Sequence, residues 1–393
     1  MSTGVAPRKM SLWEDMLLGV PFNKALTLLP GLALAGVLVS AAVVITDNVN
    51  RLLGYQSLLS YITMTIVLGL IVRNLLSVPE TFRPGVSFCL RKLLRLGIIM
   101  MGIRLSIFDA ALIGAWGIPI AVVAIGTGLV VTTFFTRLIR LPDRLGTLIA
   151  VGTAICGNSA IVATAPAIGA KDEEVAYAVA NITVFGIVAM FFYPYIAHYL
   201  FGGNPVMAGL FQGTAIHDTS QVTGAGLIYD QTFSVNTKPS AADVAVVTKL
   251  VRNIFMVLVI PLMAVIYARR MASQGKAGGP VASITSLFPY FILGFLALAA
   301  IRSIGDAGLG RSGLAVGLWA SGDWQSITSG IANWAGYVLA AAVAGIGLGT
   351  GFDTLKGLGI KPFFVGLLAA AVVGVTSIVT VLLLGQYVVL ASP

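Results

Sequence analysis

Two stretches of the chain begin with the same four residues and then become polar. The first is GTAICGNSA at 152–160, and the second is GTAIHDTSQ at 213–221. Their small polar side chains and backbone N–H groups suit a small anion. The candidate substrate-binding residues in them are Cys156, Gly157, Asn158, Ser159, His217, Thr219, Ser220 and Gln221. In the second stretch, Asp218 is suited to carry a proton or to coordinate a cation, and His217 beside it can change charge near neutral pH.

Two cations follow in an otherwise apolar stretch. Lys249 and Arg252 lie three residues apart in VVTKLVRNIF, so a helix would place them on one face. Two interpretations remain open for them. They pair with Asp218 in a structural role, or they attract a negatively charged substrate into the pocket and bind it.

The composition places these residues inside a membrane. Of 393 residues, 58% are hydrophobic and 10% are charged, and the mean hydropathy is +0.96. Soluble domains contain about 25% charged residues. Apolar runs of about 20 residues recur along the chain, and each is long enough to cross a hydrocarbon core of about 30 Å. The predicted fold class is therefore all-α, a polytopic membrane protein.

The apolar runs predict eleven transmembrane helices, some of them discontinuous. The predicted spans are about 26–46, 57–77, 85–106, 113–137, 146–169, 174–199, 205–226, 243–268, 284–305, 325–349 and 362–388. Lysines and arginines divide fourteen to six between alternate loops. This bias places the N-terminus in the cytoplasm and the C-terminus outside. For spans 7 and 10, both a crossing path and a re-entrant path remain open.

Spans 5 and 7 are predicted to break near the bilayer midplane. From Gly146, ten or eleven helical residues reach a depth of about 16 Å, close to Gly157. The same distance from Pro205 reaches His217 and Asp218. Small polar residues at each break would cap the restarted helix, whose positive N-terminal end favours an anion. The alternative is a packing kink, where small residues let helices approach each other closely.

Inverted repeats are a further prediction. The stretches 102–120 and 349–363 both follow a span, contain Phe-Asp and reach a proline, on opposite sides of the membrane in the predicted topology. The two Gly-Thr-Ala-Ile copies are instead predicted to run in the same direction, outward from the cytoplasm. The polar run at 326–334 predicts one more break, in span 10. Chance similarity between apolar stretches of low diversity remains the alternative for these repeats.

Several classes of protein are excluded by what the sequence lacks. It contains no phosphate-binding loop, no zinc-type spacing of cysteine and histidine, and no basic groove with interleaved aromatic residues. Cys89 and Cys156 lie in apolar sequence, so no disulfide is predicted. No enzymatic activity, cofactor, metal or nucleic-acid partner is predicted. The predicted organisation is a cytoplasmic segment without a cleavable signal peptide, 1–25, and one transmembrane domain, 26–390, with a cytoplasmic linker at 270–283.

The motifs resemble those of a known family. The stretches TAICGNSAI (153–161), GTAIHDTSQVTGAG (213–226) and KLVRNIFMVLVIP (249–261) follow the flank RLGIIMMGIRLS (95–106) in this order. Together they are similar to the YeiH-type sulfate exporter family of bacterial inner-membrane proteins. The resemblance implies export of sulfate or a related sulfur oxyanion. It also implies alternating access between a core bundle and a scaffold bundle of helices, and it covers the candidate residues named above.

The predicted function is secondary active transport of a small anion, such as sulfate, sulfite or an organosulfonate, coupled to H⁺ or Na⁺. The two breaks, with Lys249 and Arg252, would hold the anion, and Asp218 with His217 would couple it to the ion. The alternative is a cation/proton antiporter in which Asp218 is the ion site. The predicted partners are the anion and the lipid bilayer of the bacterial inner membrane, and monomer and homodimer both remain open.

Overall fold

The chain folds almost entirely into helices. The computed structural model describes Glu14 and residues 18–53, 60–76, 78–273, 288–351 and 360–388. Within these ranges there is no β-strand, only an isolated bridge between Ala315 and Trp319. Much of the predicted N-terminal segment, the linker after residue 273 and the Phe-Asp pair at 352–353 lie outside the described residues. The predicted all-α membrane fold is confirmed.

The helices of the described residues are numbered here in chain order. They are α1 Leu29–Leu53, α2 Tyr61–Leu75, α3 Arg83–Phe88, α4 Leu94–Met101, α5 Ile107–Leu138, α6 Asp143–Ala154, α7 Asn158–Thr164, α8 Asp172–Leu200, α9 Pro205–Ala215, α10 Thr219–Thr232, α11 Ala241–Ile254, α12 Met256–Ser273, α13 Phe291–Ser312, α14 Ser321–Gly349 and α15 Ile360–Leu384. A π-helical turn, Cys89–Leu93, joins α3 to α4, and a 3-10 turn, Pro166–Ile168, follows α7. By length and composition, 7 helices of the described ranges are long and apolar enough to cross a membrane.

Each predicted span coincides with helix, but span 9 lies further along the chain than predicted. α13 ends at Ser312 rather than near 305. In its polar last turns, Arg302 pairs with Asp306 at 2.6 Å, and Asp306 also accepts a hydrogen bond from Trp324 Nε1 at 2.8 Å, which supports this part of the helix. The apolar pattern therefore ends before the helix does.

The break predicted in span 10 is wrong. α14 is continuous from Ser321 to Gly349. Its hydroxyl side chains bond to the carbonyls of the preceding turn: Ser326 Oγ donates to Gly322 at 2.9 Å, and Thr328 Oγ1 donates to Trp324 at 3.0 Å. Hydroxyl side chains whose hydrogen bonds are made within the helix do not require the helix to be interrupted.

The helices form two bundles. The scaffold bundle consists of α1–α4, α13 and α14, and α14 packs along α2 and α4. The approach of α2 to α14 requires glycine, because a Cβ on Gly69 would lie 2.9 Å from Gly347 Cα. The core bundle consists of α5–α12 and α15, with α11 in contact with α5, α9 and α10. All the candidate site residues lie in the core bundle.

The first broken helix turns back on itself. α6 and α7 run antiparallel and pack closely against each other. A Cβ on Gly152, in α6, would lie 2.7 Å from Ile161 Cδ1, in α7. α12 contacts both α6 and the turn that follows α7, and its last turn is tied to the start of α6 by the Arg270–Asp143 ion pair at 2.8 Å. Both ends of this unit therefore lie on the same side of the core bundle. We call it hairpin 1 (residues 143–168).

The second broken helix also turns back. Along α9, Gly209 and then Gly213 pack against successive turns of α11, so these two helices run parallel. Along α10, Thr219 and then Gly226 meet the turns of α11 in the reverse order, so α10 runs antiparallel to α11. We call this unit hairpin 2 (residues 205–232). It settles the path of span 7, which is re-entrant.

The two hairpins enter from opposite sides of the membrane. We call the side on which α1 begins the N side and the side on which α15 ends the C side. Hairpin 1 opens on the N side, hairpin 2 opens on the C side, and the other nine membrane segments of the described ranges run from one side to the other. The Gly-Thr-Ala-Ile copies therefore run in opposite directions, and the prediction that they run the same way is wrong. Hairpin 1 with α8 and hairpin 2 with α11 form an inverted pair.

Compared with eleven simple crossings, the two re-entrant hairpins change the side of the membrane for only two loops, those that flank α8. Lys171 lies on the N side, together with Arg140, and not on the opposite side as eleven simple crossings would place it. The N side therefore gains one more cation. This agrees with the positive-inside rule, because the N side is the one predicted to be cytoplasmic.

Cysteine labelling tests the reversal. We expect Lys171→Cys to react with a membrane-impermeant maleimide from the same side as Arg140→Cys, and Ser234→Cys to react from the opposite side. The background is low because the native Cys89 and Cys156 are both buried. Labelling of Lys171→Cys and Arg140→Cys from opposite sides would show that α6 and α7 cross the membrane instead.

Candidate functional site

The tips of the two hairpins meet inside the core bundle. A Cβ on Gly157, in hairpin 1, would lie 3.4 Å from Asp218 Cα, in hairpin 2. Lys249 Nζ donates to the carbonyls of Ile155 and Ile216, one in each hairpin, at 2.9 Å each. The two stretches that share Gly-Thr-Ala-Ile are thus brought together and bridged by one ammonium group.

The tip of hairpin 1 depends on a glycine. Gly157 has φ +62° and ψ −121°, a backbone conformation that side-chain-bearing residues avoid. Its N–H donates to the Gly152 carbonyl at 3.0 Å and closes the end of α6. The free space beside it is small, because a Cβ would also lie 3.3 Å from Ile182 Cγ2. The backbone conformation therefore requires glycine here, and Ile182 of α8 leaves little room for a Cβ.

Arg252 binds the carbonyl ends of both α6 and α9. In hairpin 1, its Nε donates to Ala154 at 3.0 Å and its Nη2 donates to Thr153 at 2.6 Å. In hairpin 2, its Nη1 donates to Thr214 at 2.5 Å. Together with Lys249, it reaches the threonine and isoleucine carbonyls of both Gly-Thr-Ala-Ile copies. The repeated tetrapeptide presents equivalent carbonyls to the same two cations.

This capping has a clear physical reason. The last carbonyls of a helix lack intrahelical donors and carry partial negative charge, and burying them unpaired is costly. Lys249 and Arg252 are both 0% exposed and supply the missing donors. Neither forms an ion pair with Asp218, so the predicted structural pairing is not what the structure shows. The cations hold the two tips in place.

The opposite helix ends also lie at the tips. Asp218 is the N-cap of α10: its Oδ1 accepts from Ser220 N at 2.9 Å and from Ser220 Oγ at 2.5 Å. The N-cap of α7 is Gly157, which offers no side-chain acceptor to the first amides of that helix. Two helix N-termini, with their partial positive charge, are thus directed to one place.

One face of the tips is accessible and the other is sealed. Among the polar side chains of the tips and of α8 beside them, those that are exposed or half-buried are Asn158, Ser159, Thr183, Asp218 and Thr219. Those that are buried are Cys156, His217, Ser220, Gln221, Lys249 and Arg252. The ten predicted site residues other than Asp218 are therefore divided: three are exposed or half-buried, and the other seven are buried.

Thr183 of α8 was missed by the sequence analysis. Its hydroxyl lies 3.4 Å from both the Oδ1 and the Nδ2 of Asn158, and its carbonyl accepts from Gln221 Nε2 at 3.1 Å. It therefore connects hairpin 1 to hairpin 2 on the accessible face. A polar residue at membrane depth was the available signal, although nearby Asn181 carries the same signal and bonds instead to the Pro362 carbonyl of α15.

A third interruption was also missed. α11 ends at Ile254 and α12 begins at Met256, beside the tips. Met256 Sδ lies 3.0 Å from Cys156 Sγ in hairpin 1. Pro261, one turn further along, was the available signal, because proline removes a hydrogen bond from the first turns of α12. On the other side of this interruption, Asn253 Nδ2 donates to Thr219 Oγ1 at 3.1 Å and fixes the start of α10.

The charges around the tips are predominantly positive. Lys249 and Arg252 lie within hydrogen-bonding distance of the tip backbone, and Asp218 is the carboxylate that the tips themselves contribute. Two cations therefore face one anion, in a region of low dielectric constant where charges interact strongly. The partial positive charges of the two helix N-termini add to this positive charge.

Bacterial membrane proteins are similar to most of the chain. A family model described as conserved hypothetical protein 698 matches residues 30–366. A UPF0324 membrane protein of Bacillus cereus is 32% identical over 334 residues, which cover 85% of this chain and 89% of the relative. Similar proteins of Corynebacterium glutamicum and Agrobacterium fabrum are 32% and 29% identical, over 85% and 91% of this chain and 86% and 93% of their own length. The matched region contains both hairpins.

Proposed function

The chain belongs to the conserved hypothetical protein 698 family of membrane proteins, and from the geometry of its site we propose that it is a secondary transporter of a small anion. The observation that carries this proposal is the meeting of two oppositely inserted hairpins around Lys249 and Arg252. Irregular backbone at membrane depth is stable only where it is held by protein or faces a polar cavity. Transporters place substrate sites at such broken helices.

The accessible polar groups suit an oxyanion. Asn158, Ser159 and Thr219 offer side-chain donors, and the first amides of α7, which have no side-chain acceptor, offer backbone donors. Lys249 and Arg252 act on the anion through their field, because both are fully buried and most of their donors are already bound to carbonyls. We propose sulfate, sulfite or an organosulfonate as the substrate, because these carry the negative oxygens that such donors bind.

Alternating access follows from the division into two bundles. Because Lys249 bonds to both tips, neither hairpin can open alone without breaking a buried hydrogen bond. The core bundle therefore moves as a unit against the scaffold bundle and exposes the tips to each side in turn. Asp218 couples this movement to H⁺ or Na⁺. The protein works in the bacterial inner membrane, with the N side in the cytoplasm.

Uptake into proteoliposomes tests the proposal. The purified protein is reconstituted and supplied with labelled sulfite, sulfate or a sulfonate in one arm and with labelled sodium in the other, each with an imposed pH or sodium gradient. We expect gradient-driven accumulation of one of the anions. Sodium or proton movement without any anion flux would instead identify a cation/proton antiporter with Asp218 as its ion site.

Substitution of Gly157 links the tip geometry to transport. Gly157→Ala is expected to reduce flux by at least about tenfold, because it strains the backbone of the tip and crowds Ile182 of α8. Gly169→Ala is the matched control: Gly169 also has a positive φ of +60°, but no atom lies within 4 Å of its missing Cβ. The control should lose about 1 kcal/mol of stability and keep its flux. Equal flux in both variants would show that the tips are not part of the transport path.

A further inference from the structure

A cleft lies at the open end of hairpin 1, on the N side. The end of α5, the start of α6 and the last turns of α12 surround it. Its polar side chains include Thr133, Thr136, Arg137, Thr147, Tyr267 and Arg270. The length of α6, about 18 Å, separates it from the tips. Between the two, an apolar cluster that includes Ile155, Met256 and Met263 fills the space, so the cleft is a separate site.

The start of α6 supplies backbone donors to this cleft. Its N-cap is Pro142, which makes no side-chain hydrogen bond to the helix, so the first amides, from Asp143 onward, lack an intrahelical acceptor. Pro142, Asp143 and Gly146 all line the cleft. Free amides at the positive end of a helix of 12 residues favour an anion.

Tyr267 gives independent support for a ligand. This side chain lines the cleft and is only 7% exposed, yet its hydroxyl forms no hydrogen bond with any residue that the structure describes. The hydroxyl is not sealed in the interior, and a tyrosine side chain that is largely buried usually has a polar partner for it. Because no residue that the structure describes bonds to the Tyr267 hydroxyl, we expect a ligand in the cleft to provide its hydrogen-bond partner.

The charge of the region is positive. Five arginines lie at this end of α5, α6 and α12: Arg137, Arg140, Arg144, Arg269 and Arg270. Asp143 is the carboxylate among the residues that line the cleft, and it pairs with Arg270 at 2.8 Å. Phe134 and Leu138, on α5 beside the cleft, are 59% and 62% exposed, which places the cleft where apolar membrane surface meets the aqueous side.

We propose that this cleft binds a phosphate-type tetrahedral oxyanion, supplied either by the headgroup of an anionic phospholipid or by the aqueous phase. Arg137 and the amides of α6 bind its oxygens, and the Tyr267 hydroxyl donates to it. The site is independent of the transport proposal, because none of its residues lies at the hairpin tips.

Two binding measurements distinguish the sources. Inorganic phosphate and sulfate are titrated by calorimetry into the detergent-solubilised protein. Native mass spectrometry then compares lipid retention after reconstitution in phosphatidylglycerol and in phosphatidylcholine nanodiscs. The test variants are Arg137→Gln and Tyr267→Phe. The control is Arg83→Gln, an exposed arginine on the same side that pairs with Glu80. We expect each test variant to weaken binding about tenfold and the control to change it less than twofold.

Loss of phosphate binding in both test variants supports a site for a free oxyanion. Loss of phosphatidylglycerol retention alone supports a lipid headgroup. The tips are proposed to bind anions as well, so the diagnostic calorimetric result is the loss of one binding site and not of all binding. The proposal is overturned if neither ligand binds, or if Tyr267→Phe and Arg137→Gln behave like Arg83→Gln.

Discussion

Replacement of Arg252 by methionine is expected to lower the melting temperature of the detergent-solubilised protein by about 10 °C and to abolish anion flux. The guanidinium donates to the carbonyls of Thr153, Ala154 and Thr214, and methionine fills its volume without offering a donor. Each buried carbonyl left without a donor costs about 1–3 kcal/mol. Thermal unfolding followed by gel filtration measures the first effect, and proteoliposome flux measures the second.

Two further variants separate charge from geometry. Arg252→Lys keeps the positive charge, but one ammonium group cannot reach carbonyls in both hairpins as the guanidinium does. We expect it to melt between the wild type and Arg252→Met, with flux reduced at least about tenfold. Arg83→Met is the control, because this exposed residue pairs with Glu80 and contributes at most about 1 kcal/mol. Wild-type melting and flux in Arg252→Met would contradict the capping role.

The positions of the membrane segments were predictable, but the direction of the chain after a break was not. Hydropathy identified helix at every predicted span, including both halves of each hairpin. The same apolar sequence, however, fits a helix that continues and a helix that returns. The reversal at Gly157 depends on its ψ angle and on the packing of α7 against α8 and α12, none of which leaves a periodic signal in the sequence.

The sequence singled out the candidate site residues more readily than it indicated the contacts that they make. Polar residues at membrane depth are rare, and this rarity singled out both tips, Asp218, Lys249 and Arg252. The two cations bind backbone carbonyls. Every residue has a backbone carbonyl, so the residue types in the sequence could not identify these partners. The repeat of Gly-Thr-Ala-Ile was the signal for these carbonyls. The sequence interpretation instead rested on the polar residues that follow each copy of the tetrapeptide.

The tips also explain why the two copies of that tetrapeptide share one cation pair. Hairpins that enter from opposite sides end with their carbonyls directed toward the same level of the membrane. A single helix, α11, passes this level and carries both Lys249 and Arg252. Each cation therefore serves both hairpins, and the capping of one cannot be lost without the other. The exposed polar side chains of the tips and the Asp218 carboxylate lie on the two hairpins that this pair supports.

Substitution of Asp218 by asparagine is expected to preserve the fold and to remove the dependence of flux on pH and sodium. Asparagine is as good an N-cap as aspartate, so the hydrogen bond from Ser220 N to its Oδ1 is retained. The charge at the tips becomes more positive, so anion affinity is expected to rise while gradient-driven accumulation is lost. Anion exchange across the membrane persists. Flux at several pH values, with and without a sodium gradient, measures the change.

Asp230→Asn is the matched control for this substitution. Asp230 is also a carboxylate that binds helix amides, those of Ala241 at 2.9 Å and Ala242 at 3.1 Å, but it lies at the open end of hairpin 2, away from the tips. Because it caps α11 without facing the anion, its neutralisation should leave the pH and sodium profiles of flux unchanged. A wild-type profile in Asp218→Asn would assign Asp218 to capping alone and would place the coupling group elsewhere.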